Sequence, residues 1–441
     1  MTIPDPYLRG HGDTRYRVTH YDLKLTYKVA GNRLEEKAQL YVEIAEPTNR
    51  IDVDLHGLRV HKVFLDGRPA KYRHRGQRVV VEVGDRVPGN RFLLEFRVSG
   101  KPRPVPGVHG TSGWEELTDG SMVGSQPHGA PSWFPCNDDA ADKATYRIEV
   151  TTEPEYHVVA NGTLTDSTRS GATTTWTYVM DRPMAPYLAT VQIGPYTVHE
   201  RKASVPVEVV HPKGLDVGDG TAFEDQGKMV DFFADLFGPY PFAEYRAVIV
   251  DDDLEIPLEA QGLSSFGRNH VAPEWDNERL VAHELAHQWF GNSVTAQRLS
   301  DIWLHEGFAC YAEWLWSDHR HASGGGAGVQ VRAAEHHAAL GPTPDGCTLA
   351  DPGMEAMFDD WVYKRGALTL HAVRALLGDT AFFDLLRSWT REHAGGTVTT
   401  DDFEAHCLRW AGNRDAEMDA LLNAWLHRTQ VPALPEVPAR G

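Results

Sequence analysis

Over most of the first two hundred residues apolar side chains recur at every second position, a period that suits half-buried strands and no helix. Tyr21, Leu23, Leu25, Tyr27 and Val29 form one such row, and Leu40, Val42 and Ile44 form another. Val79, Val81 and Val83 repeat it, as do Phe92, Leu94, Phe96 and Val98, then Tyr146, Ile148 and Val150. Turn residues separate the rows, so the spacing predicts an all-β N-terminal domain over 1–203. The Pro-rich stretch KPRPVPG at 101–107 reads as a loop inside that domain. Beyond it the pattern lengthens to helix-sized segments, among them TAFEDQGKMVDFFADLFG, NERLVAHELAHQWFG, DIWLHEGFACYAEWLWSDHR and VYKRGALTLHAVRALLG. TAFFDLLRSWTREHAGG, TTDDFEAHCLRWAG and AEMDALLNAWLHRTQ continue the series, while YRAVIVDDD reads as a strand. The second domain, 204–441, is therefore expected to be α+β and mainly helical. SGGGAG at 323–328 reads as a flexible surface loop, and no fixed-period repeat is visible.

Composition narrows the function. The chain has 441 residues, with 43 Lys+Arg against 62 Asp+Glu and a formal net charge of −19. That balance argues against nucleic-acid binding, which is driven by cations releasing the counterions of phosphates. The first thirty residues lack a basic segment followed by an apolar one, and no run is long and apolar enough to span a membrane. Cys136, Cys310, Cys347 and Cys407 lie far apart, without the close pairs of a thiolate metal site. A cytoplasmic protein with neither nucleic-acid nor membrane partner is expected.

His283-Glu284-Leu285-Ala286-His287 is an H-E-x-x-H pentapeptide inside a segment that reads as helix. Residues four apart share a helix face, so the two imidazoles converge on one ion while Glu284 stands beside it. Glu306 lies in the next helical segment, WLHEGFACYAEWL. Two helices joined by a short turn can pack antiparallel and return that carboxylate to the histidines, giving a His₂Glu zinc site of one ion per chain. Three protein ligands leave a position for water, as hydrolases do, whereas structural zinc sites are closed by four.

HELAHQWFGNSVT at 283–295 and WLHEGFACY at 303–311 resemble the zinc signature of the M1 zinc metallopeptidases, the aminopeptidase N and leukotriene hydrolase family. The one departure there is His305, where asparagine is usual. YRVTHYDLKL near the start, SQPHGAPSWFPCNDDAADKATY at 125–146, VYKRGALTL at 362–370 and WLHRTQVPALPEV at 425–437 are similar to further family landmarks in the expected order. The resemblance implies a saddle-like β sandwich followed by a thermolysin-like catalytic domain. It also implies a short form that stops at Gly441 without the family's C-terminal helical domain, hence a more open cleft and weaker discrimination by peptide length. A monomer is favoured.

The resemblance assigns roles. Glu284 would be the general base, and Tyr363 the donor to the developing oxyanion. Glu259 and Gln126 would hold the substrate's free α-amino group, since carboxylate and amide oxygens accept from an ammonium. The family's Gly-x-Met-Glu-Asn segment is altered around Glu259, where Ile256, Pro257, Leu258 and Ala260 stand. Pro257 has no N–H to offer an extended substrate. Asp251, Asp252, Asp253 and Glu255 just upstream read as a solvated loop, and either Glu313 or Asp301 could orient a ligand imidazole. The expected function is a zinc aminopeptidase acting on peptides with a free N-terminus. Its rivals are an endopeptidase or non-peptide hydrolase on the same centre, or a catalytically weak zinc-stabilised binding protein.

Overall fold

The structure, a computed structural model, describes residues 5–322, 324, 326–341, 343–344 and 346–435. Two members of the 323–328 stretch, residues 323 and 325, lie outside the described residues, as do 436 and 437 of the last landmark. The chain is sheet-rich first and helical afterwards.

The largest sheet has eight strands. Tyr16–Lys28 runs antiparallel to Arg33–Ile44, with Leu23 opposite Ala38, and parallel to Ala144–Thr152, with Leu23 opposite Ile148. Each predicted apolar row is the buried face of its strand: Tyr21, Leu23, Leu25 and Tyr27 are inside while Asp22 and Lys24 stay partly exposed. Burying alternate side chains fixes register, because a one-residue slip would turn the whole row to solvent. Two expectations are corrected at the edges of this pattern. Val29 is not a strand residue; the strand ends at Lys28 and Val29–Gly31 forms a 3₁₀ turn closed by Asn32 in the left-handed region. The Pro-rich stretch is not all loop, since Val105–Gly107 pairs with the strand Gly110–Leu117, Pro106 facing Thr111. Proline is tolerated in such a short three-residue strand because few ladder bonds depend on it.

Contacts divide the chain into two compact units. One comprises 1–200, 206–217 and 242–270; the other comprises 201–205, 218–241 and 271–441. A single cut at residue 203 differs from this, because the five-stranded sheet of Tyr196–Arg201, Val207–Pro212, Tyr245–Val250, Leu263–Gly267 and Leu258–Ala260 lies almost wholly in the first unit. Its apolar residues Tyr196, Val210, Val248, Ala260 and Leu263 share a core with the earlier Val159. Buried amides add to the tie, Asn161 Nδ2 donating to Gln261 O at 2.9 Å and Gln192 Nε2 to Ser265 Oγ at 2.9 Å.

The second unit holds eight helices among the described residues: α1 (Gln226–Phe237), α2 (Trp275–Ala286), α3 (Trp303–Ala322), α4 (Val329–Ala339), α5 (Asp360–Leu377), α6 (Asp379–Glu392), α7 (Thr400–Ala411) and α8 (Asp415–Leu426). Seven were expected; α4 was not, because VQVRAAEHHAA buries only Val329 and Ala333 and lacks a clear apolar stripe. Helices α3 and α5 cross where two glycines meet: a Cβ on Gly307 would stand 2.7 Å from Gly366 Cα. Asp301 accepts from the Thr400 N–H at 2.9 Å and from its hydroxyl at 2.6 Å, fixing the start of α7. All four cysteines are free thiols; Cys136, Cys310 and Cys407 are buried and Cys347 is half-buried.

Candidate metal centre

Two elements supply the centre, α2 and α3. The pentapeptide straddles the end of α2: His283 and Glu284 lie in its last turn, and His287 is the C-cap, still at helical angles with φ −56° and ψ −23°. Its N–H donates to His283 O at 3.3 Å, so the two imidazoles keep their one-turn spacing. Gly291 then turns the chain at φ +124°, where a Cβ would come within 3.2 Å of His287 Nδ1. Glu306 enters from the first turn of α3. All four side chains are buried.

The donor atoms converge. His283 Nε2 lies 3.3 Å from Glu306 Oε2, and His287 Nε2 lies 3.5 Å from the same oxygen. Zinc held tetrahedrally at about 2.0–2.1 Å would space its donors by roughly 3.3–3.5 Å, so the three residues fit that ion. The outer nitrogens are anchored as well. His283 Nδ1 donates to Glu313 Oε1 at 2.7 Å, and His287 Nδ1 donates to Phe290 O at 3.1 Å, which leaves both Nε2 atoms facing inward. Of the two candidates for orienting an imidazole, Glu313 therefore does so; Asp301 caps α7 instead.

Charge is arranged around these bonds. Burial pushes the His283 pKa down, but the hydrogen bonds and charges of Glu306 and Glu313 outweigh it and raise it to about 9 in the metal-free chain. Burial would raise the Glu313 carboxyl, yet Lys364, the His283 bond and Arg279 hold it at about 2. The Arg279 guanidinium reaches Glu313 Oε2 at 3.4 Å. Glu306 lies well below the usual carboxylate range, because the two histidines overcome its burial. The Tyr363 ring, on α5, stacks on His283 with centroids 5.9 Å apart and planes inclined by 21°. His305, where the signature usually has asparagine, accepts from the Ala296 N–H through Nε2 at 2.6 Å and so anchors the chain ahead of α3.

The remaining expected residues lie in the first unit, where they meet each other. Gln126 Nε2 donates to Glu259 Oε1 at 2.6 Å, and Glu259 is buried. Glu259 sits in Leu258–Ala260, the last strand of its sheet, opposite Ser264. The Leu258 side chain packs where a Cβ on Gly124 would come within 2.4 Å of its Cδ1. Arg279 and Lys364 escaped the sequence reading; their only sequence signal is a basic residue one turn before His283 and another next to Tyr363.

Two imidazoles and one carboxylate converging from α2 and α3 are the donor set of a mononuclear metallohydrolase. Comparison with known proteins narrows the class. Residues 17–188 match the peptidase M1 N-terminal domain and residues 221–425 match the peptidase family M1 domain. The chain is similar to the crystal structure of an M1 zinc metallopeptidase from Deinococcus radiodurans, at 30% identity and a TM-score of 0.89, covering 99% of this chain and 100% of that one. A mutant of that protein bound to a Tyr-Ser-Ala substrate matches equally well, again with a TM-score of 0.89. Among curated relatives, aminopeptidase M1-B of rice is 24% identical across 94% of this chain and 50% of its own length. Rabbit aminopeptidase N is 28% identical across 64% of this chain and 32% of its own. The chain spans about half the length of the curated relatives it matches first. It belongs to peptidase family M1, a family of zinc metallopeptidases. Among the described residues no helix is long and apolar enough to cross a membrane.

Proposed function

We propose that this protein is a zinc-dependent aminopeptidase that hydrolyses the N-terminal peptide bond of peptides. The convergence of His283 Nε2, His287 Nε2 and Glu306 Oε2, with Glu284 on the same helix end, carries this reading. Bound there, zinc supplies a Lewis acid for the scissile carbonyl and for a water molecule. The Glu284 carboxylate takes the proton of the attacking water and passes it to the leaving amine. The Tyr363 hydroxyl donates to the carbonyl oxygen as negative charge develops there. Glu259 accepts from the substrate ammonium; Gln126, tethered through its amide nitrogen, presents its carbonyl oxygen to the same group. Peptides with a free N-terminus are thus the substrate class. The division at about residue 203 into a β part and a peptidase part is supported by family matches that fall on either side of it. Four free thiols support a reducing, cytoplasmic setting.

The test compares one peptide with free and N-acetylated termini. Wild type should cleave only the free form, and Glu284→Gln should retain one zinc per chain while losing activity by about 10²–10⁴-fold. Cleavage of both forms would favour an endopeptidase, the reading to which Pro257 beside Glu259 lends weight. Metal without turnover on any peptide would favour a binding protein.

A further inference from the structure

A second group of metal-binding side chains lies in the helical unit, at the end of α6 and on α7. Glu392 closes α6, His393 follows it as the C-cap, and His406 lies in the middle of α7. One ligand atom from each lies within 4.8 Å of the others, and His406 Nδ1 is 3.9 Å from Glu392 Oε2. None of the three takes part in the centre described above.

The surroundings prepare these groups for a cation. His406 is buried, and its Nε2 contacts Leu385 O at 3.1 Å and Ser388 Oγ at 2.9 Å. A carbonyl oxygen only accepts, so Nε2 carries the proton and Nδ1 keeps its lone pair, 3.9 Å from Glu392 Oε2. The Arg409 guanidinium fills that space: its Nη2 donates to His406 Nδ1 and to Glu392 Oε2, the latter at 2.8 Å. The Arg409 side chain is 58% exposed, so it can swing into water. His393 packs against Trp389, ring centroids 4.3 Å apart and planes inclined by 53°, and neither of its ring nitrogens takes a hydrogen bond from the described residues. Burial lowers the pKa of both histidines, which favours the neutral, ligating form.

We propose that Glu392, His393 and His406 form a second divalent transition-metal site, in which the ion takes the place held by the Arg409 guanidinium. Two imidazoles and a carboxylate suit zinc, nickel or copper, whereas magnesium and calcium prefer all-oxygen sets. Solvent completes the coordination, and the bound ion pins the end of α6 to α7. Because Arg409 must be displaced, the site is weaker than the centre on α2 and α3.

The alternative is a plain surface ion pair, and Arg409 separates the two by sign. Untagged full-length protein is loaded with one zinc, cleared of free metal and titrated calorimetrically with Ni²⁺, followed by elemental analysis. Wild type should take up one nickel while keeping its zinc. Glu392→Gln and His393→Gln, both at accessible positions and checked for folding by circular dichroism, should each weaken nickel binding by more than about tenfold. Arg409→Ala should tighten it, because a competing cation is gone. Nickel uptake that is insensitive to Glu392→Gln and His393→Gln would overturn the proposal. So would uptake weakened by Arg409→Ala, or no uptake by either wild type or Arg409→Ala.

Discussion

His283 joins two carboxylates through its two nitrogens, and that makes it a proton source when metal arrives. With its pKa raised to about 9, the imidazole is protonated at pH 7.5 in the metal-free chain, Nε2–H facing Glu306. Zinc requires that lone pair, so uptake at pH 7.5 should release about one proton from His283, falling toward none above pH 9. Calorimetry in buffers of different ionisation enthalpy measures the number directly. Glu313→Gln removes the charged acceptor at Nδ1 and should weaken zinc binding by about 10–100-fold, read by competition with a chromogenic chelator. The convergence of His283 and His287 was legible in the sequence because helix geometry fixes their spacing. The choice between Glu313 and Asp301 was not, since it depends on which face of α3 turns toward α2. His305 is similar: its identity departs from the signature, and only the fold shows that its imidazole serves the Ala296 amide.

At the scale of elements, the crossing of α3 and α5 governs how Glu306 and Tyr363 are held. Glu306 precedes Gly307, and Tyr363 lies one turn before Gly366, so the glycine contact sets the separation of the two helices. Gly366→Ala should cost about 1–3 kcal/mol through overpacking, despite the better helix propensity of alanine. It should lower kcat more than it raises KM, because Tyr363 is displaced while substrate binding elsewhere is kept; a melting curve with steady-state kinetics tests both. Strands were easier to read than their ends. Alternation locates Tyr21 to Tyr27 on one face, but the stop at Lys28 depends on the left-handed Asn32 that closes the next turn. Helix α4 escaped because only two of its residues pack inward.

Across the whole molecule, one buried acid in the first unit and one buried base in the second give opposite pH dependences. In the first, burial raises the Asp142 carboxyl to about 7, despite hydrogen bonds from Asn137 and Val18. A raised folded pKa means stability present below the unfolded value and lost as pH climbs through about 7, a contribution of up to about 4 kcal/mol. In the second, burial and the Arg374 charge lower His371 to about 4. Its contribution, up to about 3 kcal/mol, is present above the ordinary histidine value and lost as pH falls through about 4. Asp142→Asn should therefore flatten the alkaline decline of thermal stability, and His371→Gln the acid decline, in melts recorded from pH 5 to 8. The order of sheet and helix was readable from periodicity alone. The return of 206–217 and 242–270 to the first unit was not, because it rests on long-range packing such as Val248 against Val159.

The uneven burial of the four thiols gives this protein a natural chemical handle. Cys136, Cys310 and Cys407 are shielded from reagents, while Cys347 reaches the surface ahead of α5. Its thiol pKa is raised by partial burial and by Asp351 and Asp359, so alkylation should be slow at neutral pH and quicker in mildly alkaline buffer. A maleimide dye should then couple once per chain, giving the peptidase unit a reporter without any engineered cysteine.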